Sequence, residues 1–188
     1  GKFGYIITDL IKHISTLEKD LGNQSRTPGT LLAPRKTITN VQYNKNSNKE
    51  EVTVEDIYVP ISEIFQSKNL PLQLNKRQLK RLLPAVPILL ALFDVDRPEY
   101  PENMASPAEL TAKAEKVCSD LQIPTLVIDQ EYISQLSQQF YAEFAPVSAI
   151  LGGCLAQDVI QFLSKKESPI NNLLILDGLR SEMPIFTL

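Results

Sequence analysis

The residues able to do chemistry are few and scattered. His13 is the single histidine, four residues after Asp9. A nucleophilic triad built on it would need a serine or cysteine delivered by the fold, and nothing local supports one. The ordinary reading is a surface or packing histidine at the end of a strand. Cys118 and Cys154 lie far apart on apolar helical faces, with no CxxC and no cluster with His13. Neither a zinc site nor a disulfide framework is supported, and reducing intracellular surroundings fit best. The carboxylates are dispersed, with no pair that stands out as an acid/base couple.

Phosphate chemistry would need clustered glycines at a strand-to-helix turn, as in GxGxxG or GxxxxGK[ST]. Neither motif occurs. Gly152 and Gly153 lie inside a helical run and continue into Cys154 and Leu155, so they do not form a nucleotide loop. Lys76, Arg77, Lys80 and Arg81 form a basic patch on one expected helix, with no aromatic among them for base stacking. That patch reads as a solvated helix face.

The elements around these residues are set by the C-terminal stretch from Phe144. Pro146 suits a first helical turn, and Lys165 and Lys166 suit the negative end of the helix dipole. A helix of about 19 residues is expected between them. Val147, Ile150, Leu151, Cys154, Leu155, Phe162 and Leu163 form one apolar face. Ala149, Gly152, Gly153, Ala156 and Ile160 form a second face with little bulk, and polar residues are confined to a stripe at Gln157, Asp158 and Gln161. Two interior glycines cost roughly 1 kcal/mol each relative to alanine, so a close neighbour is expected against the smooth face. That neighbour is either a subunit partner or the chain's own core. Two strand-like runs come after the helix.

The 188 residues, 43% hydrophobic and 22% charged with net charge -3, describe a globular protein with no basic excess that would suggest nucleic acid. No apolar run is expected to cross a membrane, and GKFGYIITDLIKHIS lacks the order of a signal peptide. The chain opens directly on strand-like sequence, as a fragment would. FGYIITDL reads as a core strand, extended to Ile14 at most, and residues 20–36 as a loop. Thr37–Tyr43 and Glu51–Val59 read as a hairpin around NKNSNKE. A short helical run ISEIFQSKN comes after Pro60. Asn75 and Gln78 form a capping box for a further helix, which Pro84 and Pro87 break or kink. Ser106, Pro107 and Glu109 start a helix with the stripe Leu110, Ala114, Val117, Cys118 and Leu121. Asp129 caps another through Tyr132, Ile133, Leu136 and Phe140.

FAPVSAILGGCLAQDVIQFL followed by NNLLILDGL resembles the final helix and sheet strand of the ubiquitin-like-protein activating enzymes, and more broadly of ThiF/MoeB-type adenylating proteins. Within that group the likeness is to the smaller, Aos-type subunits of SUMO-activating enzymes. Phe3-Gly4-Tyr5 with Asp9-Leu10 resembles the mid-domain strand of those subunits, and KRQLKRLL their helical insertion. The pieces keep the family's order along nearly the whole chain.

The resemblance implies α/β architecture: the C-terminal half of a doubly wound, Rossmann-like adenylation domain of the inactive type, with an inserted hairpin and a small helical bundle. Residues 1–14 and 144–188 would belong to that domain, 15–74 to an inserted loop and hairpin region, and 75–143 to the helical insertion. It also implies that this chain alone is not an enzyme and binds no cofactor or metal. ATP and Mg would sit on a larger partner subunit, which carries the catalytic cysteine. Neither Cys118 nor Cys154 matches a catalytic-cysteine motif. The reaction would be adenylation of the SUMO C-terminal carboxylate and thioester transfer to the partner, with SUMO contacted indirectly and a nuclear or cytoplasmic location. No membrane or nucleic-acid partner is expected. Pro146, Val147, Ala149, Gly152, Gly153, Ala156 and Gln157, with Asn172 and Asp177, are the residues implied for packing or the subunit interface. The inactive half of a ubiquitin- or Nedd8-activating enzyme and an independent helical binding module are the competing readings.

Overall fold

The centre of the structure is the strand Leu173–Asp177, every residue of which is buried. A run of consecutive apolar residues suits a strand covered on both faces. The computed structural model describes residues 3–20, 26–33, 35–64, 66, 84–95, 106–139, 142–178 and 180–188. In chain order its strands are β1 (Phe3–Ile7), β2 (Lys12–Asp20), β3 (Leu31–Ala33), β4 (Lys36–Asn44), β5 (Lys49–Ile57), β6 (Leu173–Asp177) and β7 (Ile185–Phe186). Its helices are α1 (Ile61–Ile64), α2 (Ala85–Leu92), α3 (Pro107–Asp120), α4 (Gln130–Gln138) and α5 (Ala145–Ser164), with a 3-10 turn at Thr125–Val127.

β6 lies between β1 and β7, antiparallel to both. One face of this sheet supplies Leu173, Ile175 and Phe186 to a core shared with α2, α3 and α4. α5 lies on the other face, along β1. Helices therefore cover both faces of a mixed α/β unit. Every described strand pair is antiparallel. The parallel strands that a doubly wound sheet would contribute are not among the described residues.

The helical layer obeys its local signals. Ser106 caps α3 by accepting from the Glu109 N–H, and Leu110, Ala114, Val117, Cys118 and Leu121 are buried at helical spacing. Asp129 caps α4, which buries Tyr132, Ile133 and Leu136. Pro84 and Pro87 mark the start of α2. They stand at the N-cap and in the first turn of α2, where a missing N–H forfeits no intrahelical bond. The helix expected from Asn75 and the basic patch Lys76, Arg77, Lys80 and Arg81 lie outside the described residues.

β2, β5, β4 and β3 form a second, four-stranded antiparallel sheet. β4 and β5 join through a turn in which Asn48 takes φ 53°, a conformation asparagine tolerates. Ile38, Val52 and Val54 make its small core. The first strand does not run to Ile14: it ends at Ile7, and Lys12 opens β2 in the second sheet. Strand structure also occupies Leu31–Ala33, inside the stretch expected to be a loop.

α5, 20 residues and about 30 Å long, has the length and composition to cross a membrane, contrary to the expectation from sequence. Length and apolarity alone do not separate a membrane span from a helix covered by protein. Here the helix lies along β1, and a buried carboxylate ties it to the segment that leads into β6.

Candidate packing and interface surface

α5 starts as its sequence dictates, with Pro146 in the first turn, and ends at Lys165, which takes the left-handed conformation at φ 55°. Its contact with the body is a single line. Val147, Leu151, Cys154, Asp158 and Gln161, spaced four, three, four and three residues apart, are the positions shielded from solvent. Gly4 on β1 gives them room: a Cβ there would stand 2.3 Å from Leu151 Cδ1 and 3.1 Å from Val147 Cγ1.

Most of the remaining circumference faces outward, although the Phe162 ring lies 5.6 Å from the His13 ring. Ile150, Leu155, Val159, Ile160, Phe162 and Leu163 are exposed, Leu163 by 71%. Pro146, Ala149, Ala156 and Gln157 are exposed as well. No described residue of this chain is the close neighbour expected at the glycines, since a Cβ on Gly152 or Gly153 meets nothing within 4 Å among them. Only Val147 of the seven α5 residues implied for packing is buried within this chain.

The C-terminal end of α5 is anchored by polar contacts. Asp158, in the narrow polar stripe of α5, is only 8% exposed, and its Oδ1 accepts from the Ile170 N–H at 2.6 Å. Burial raises its pKa, while the Ile170 N–H and the charge of His13 pull it back. His13 is 5% exposed, not a surface residue, and its Nε2 donates to the Phe162 carbonyl at 3.2 Å. The Thr16 N–H reaches the Lys165 carbonyl at 2.8 Å. These two bonds satisfy carbonyls that a helix end leaves without intrahelical partners, and they join β2 to α5. Tyr58 donates to the Pro169 carbonyl at 2.9 Å, and Asn171 Nδ2 donates to Asp56 Oδ1 at 2.8 Å. The Tyr58 hydroxyl is pushed up by burial and then by the carboxylates of Asp56 and Asp158.

Asn172 and Asp177 occupy two further environments. Asn172 is fully buried; its Oδ1 accepts from the Leu188 N–H at 2.9 Å and its Nδ2 donates to the Leu188 carbonyl at 3.3 Å. Arg35 donates to the same carbonyl. Asp177 accepts from the Tyr132 hydroxyl at 2.7 Å and from the Arg180 N–H at 3.1 Å. The Arg180 guanidinium lies 5.3 Å from the Tyr132 ring centre. Burial, then the hydrogen bond and charge of Asp177, raise the Tyr132 pKa. Asn172 thus holds the last strand to β6, and Asp177 holds the end of β6 to α4.

The implied residues therefore do not converge on one site. His13 takes the packing role that the sequence left beside a surface one, whereas Tyr58, Asp56 and Asp158 were missed as structural residues. One signal was available for Asp158: it is the acid in a long apolar helix and shares the helical face of Val147, Leu151 and Cys154. The Cys118 thiol is buried and raised to about 11 by burial and then by Glu115, which makes it a poor nucleophile, and the Cys154 Sγ lies 3.6 Å from the Met183 Sδ.

No family model matches the chain. It is 35% identical over 195 residues to the DNA damage tolerance protein RHC31 of Saccharomyces cerevisiae, covering 99% of this chain and 54% of that protein. It is 24% identical to the DNA damage tolerance protein rad31 of Schizosaccharomyces pombe, covering 100% of this chain and 50% of that protein. SUMO-activating enzyme subunit 1 of Mus musculus is 31% identical over 110 residues, 56% of this chain and 30% of that protein. The chain spans about half the length of the two yeast relatives. By fold it is a layered α/β protein, and by these relationships it falls in the ubiquitin-like-protein activating class. It belongs to the Aos-type subunit family.

Proposed function

We propose that the chain is the C-terminal half of the smaller, non-catalytic subunit of a heterodimeric SUMO-activating enzyme. The observation that carries this reading is the likeness to SUMO-activating enzyme subunit 1 of the mouse, together with 35% identity to a yeast relative along 99% of the chain. In this reading the chain is scaffold. The larger subunit holds ATP and Mg, forms the SUMO adenylate and carries the cysteine that accepts the thioester. SUMO is contacted indirectly, and the complex works in the nucleus.

The chemistry of this chain's residues supports that division. The Cys118 thiol, raised to about 11 by burial and Glu115, is a poor nucleophile. Asp158, Asn172 and Asp177 spend their polar atoms on backbone and side-chain bonds that fasten α5, β7 and α4 to the sheet. The exposed apolar face of α5 supplies area for burial against further protein.

Size-exclusion chromatography of the full-length subunit with its larger partner tests the reading, the expected result being a stable co-eluting complex. Failure of the two to associate would sink it. Thioester assays with SUMO, ubiquitin and Nedd8 in parallel identify the modifier, with SUMO expected.

A further inference from the structure

The two hydrophobic cores of the chain do not meet. The larger takes buried residues from α1–α4, β6, β7 and Leu188 and none from residues 12–57. The smaller, Ile38, Val52 and Val54 with Leu17 and Val41 against them, lies wholly within the second sheet. A joint without a large shared apolar area is one at which two units move against each other. Polar bonds hold this one. Besides the His13 and Thr16 bonds to the end of α5, Tyr58 reaches the Pro169 carbonyl, Asn171 Nδ2 reaches Asp56 and the Ile57 carbonyl, and Arg35 reaches the Leu188 carbonyl. The covalent link is narrow. The chain crosses only at residues 8–11 and 58–60, which lie side by side where the Tyr58 N–H donates to the Ile11 carbonyl at 3.0 Å.

Docking leaves polar groups on this seam uncompensated. His13 Nδ1 and Asn171 Oδ1 are buried and have no hydrogen-bond partner among the described residues. Water solvates both atoms once the seam opens, which offsets part of the loss of the bonds. Open clefts also flank the seam: one of about 540 Å³ between residues 16–19 and 164–167, and one of about 320 Å³ between Lys36 and Asp56 on one side and Ile185 and Thr187 on the other.

We propose that the second sheet is a hinged flap, which swings as an intact unit on residues 8–11 and 58–60 between a docked and an undocked position and thereby sets the end of α5. Docked, β2 supplies partners to the Phe162 and Lys165 carbonyls. Undocked, those carbonyls lose them, and the last turn, which carries Phe162 and Leu163, frays. The flap therefore controls how far the apolar outer face of α5 extends. This inference concerns the fold of the chain and stands whichever modifier the protein activates.

Native-state hydrogen exchange on the full-length subunit reads the opening. The Thr16 amide is bonded across the seam to the Lys165 carbonyl, and the Lys165 amide within the last turn of α5 to the Gln161 carbonyl. The two are expected to share one opening free energy and, after correction for intrinsic rates, to exchange roughly tenfold or more faster than Val54 in β5 and the amides of β6. Unequal opening free energies, the mark of separate fraying, would overturn the proposal. So would protection of Thr16 equal to that of Val54, which means that the seam opens only when the sheet itself unfolds. A lock supplies the second readout. Ser15→Cys with Ser168→Cys, in the Cys118→Ala and Cys154→Ser background, puts two thiols where hydroxyls lie 3.5 Å apart, so that oxidation bridges the seam. The bridge is expected to slow Thr16 and Lys165 by roughly tenfold and to leave Val54 unchanged; exchange at Thr16 unmoved by the bridge would contradict the flap.

Discussion

Gly4 of β1 lies directly beneath Leu151 of α5, so close that a Cβ at residue 4 would stand 2.3 Å from the Leu151 Cδ1. This is the point where the helix comes down on the sheet, and the glycine is there because a side chain would hold the two apart. Valine favours strands, yet its bulk must displace both Leu151 and Val147. Gly4→Val should therefore cost about 1–3 kcal/mol and Gly4→Ala less, because the leucine terminus can turn aside. Urea unfolding of the two variants against the parent checks this order; a valine variant as stable as the parent would refute the close packing.

Asp158 makes a pH-dependent prediction. Burial raises its pKa, so the folded state holds the proton more tightly than the unfolded chain. The stabilising effect of protonation is fully present below the unfolded pKa and is lost as pH rises through the folded value. Asp158→Asn keeps the Oδ1 acceptor for the Ile170 N–H without the buried charge. At pH 7 the Asn variant should equal or exceed the parent in stability, and the parent should gain on it as pH falls to about 4. Asp158→Ala leaves the Ile170 N–H without its partner and should lose about 1–3 kcal/mol. Denaturant midpoints across pH measure all three. A parent that weakens relative to the Asn variant on acidification would reverse the sign and reject the argument.

Asn172 fastens the last residue of the chain to the sheet through both halves of its amide. Asn172→Ala leaves the buried Leu188 N–H without its partner, at about 1–3 kcal/mol, while the Leu188 carbonyl keeps its bond from Arg35. β7 should loosen first, which faster exchange at the Ile175 amide, bonded to the Pro184 carbonyl, would report. Unchanged exchange there would show that the amide clamp does not hold the strand.

The features legible in the sequence were local. The Ser106 cap, Pro107 and the stripe from Leu110 to Leu121 foretold α3, and Asp129 foretold α4, because capping and periodicity act over a few residues. The ends of α5 could be read from Pro146 and Lys165. Its burial could not: nearly every face is apolar, so periodicity does not say which face meets the sheet, and the line chosen includes Asp158. His13 and Asp158 meet only through tertiary structure, and no spacing rule links them. The break at Ile7 was hidden by a continuing run of strand formers through Ile14, and Pro84 with Pro87 fits a helix start as well as a helix break.

The cysteines give a chemical test of the division of labour. Cys118, fully buried with its thiol raised to about 11 by burial and then by Glu115, should react with iodoacetamide at pH 8 only after unfolding. Mass spectrometry of the native protein after alkylation reads this. Ready native-state modification of Cys118 would mean that the thiol is accessible and activated, contrary to the structure.

The central claim is that the chain belongs to a subunit required for SUMO activation which supplies no catalytic cysteine. It is tested most directly by SUMO thioester formation in the reconstituted heterodimer, comparing the parent full-length subunit, the Cys118→Ala and Cys154→Ser double variant, and no small subunit. The account predicts equal thioester yield from the parent and the double variant, and loss of the thioester when the subunit is omitted. Thioester lost in a double variant that still co-elutes with its partner, or full yield from the larger subunit alone, would contradict it.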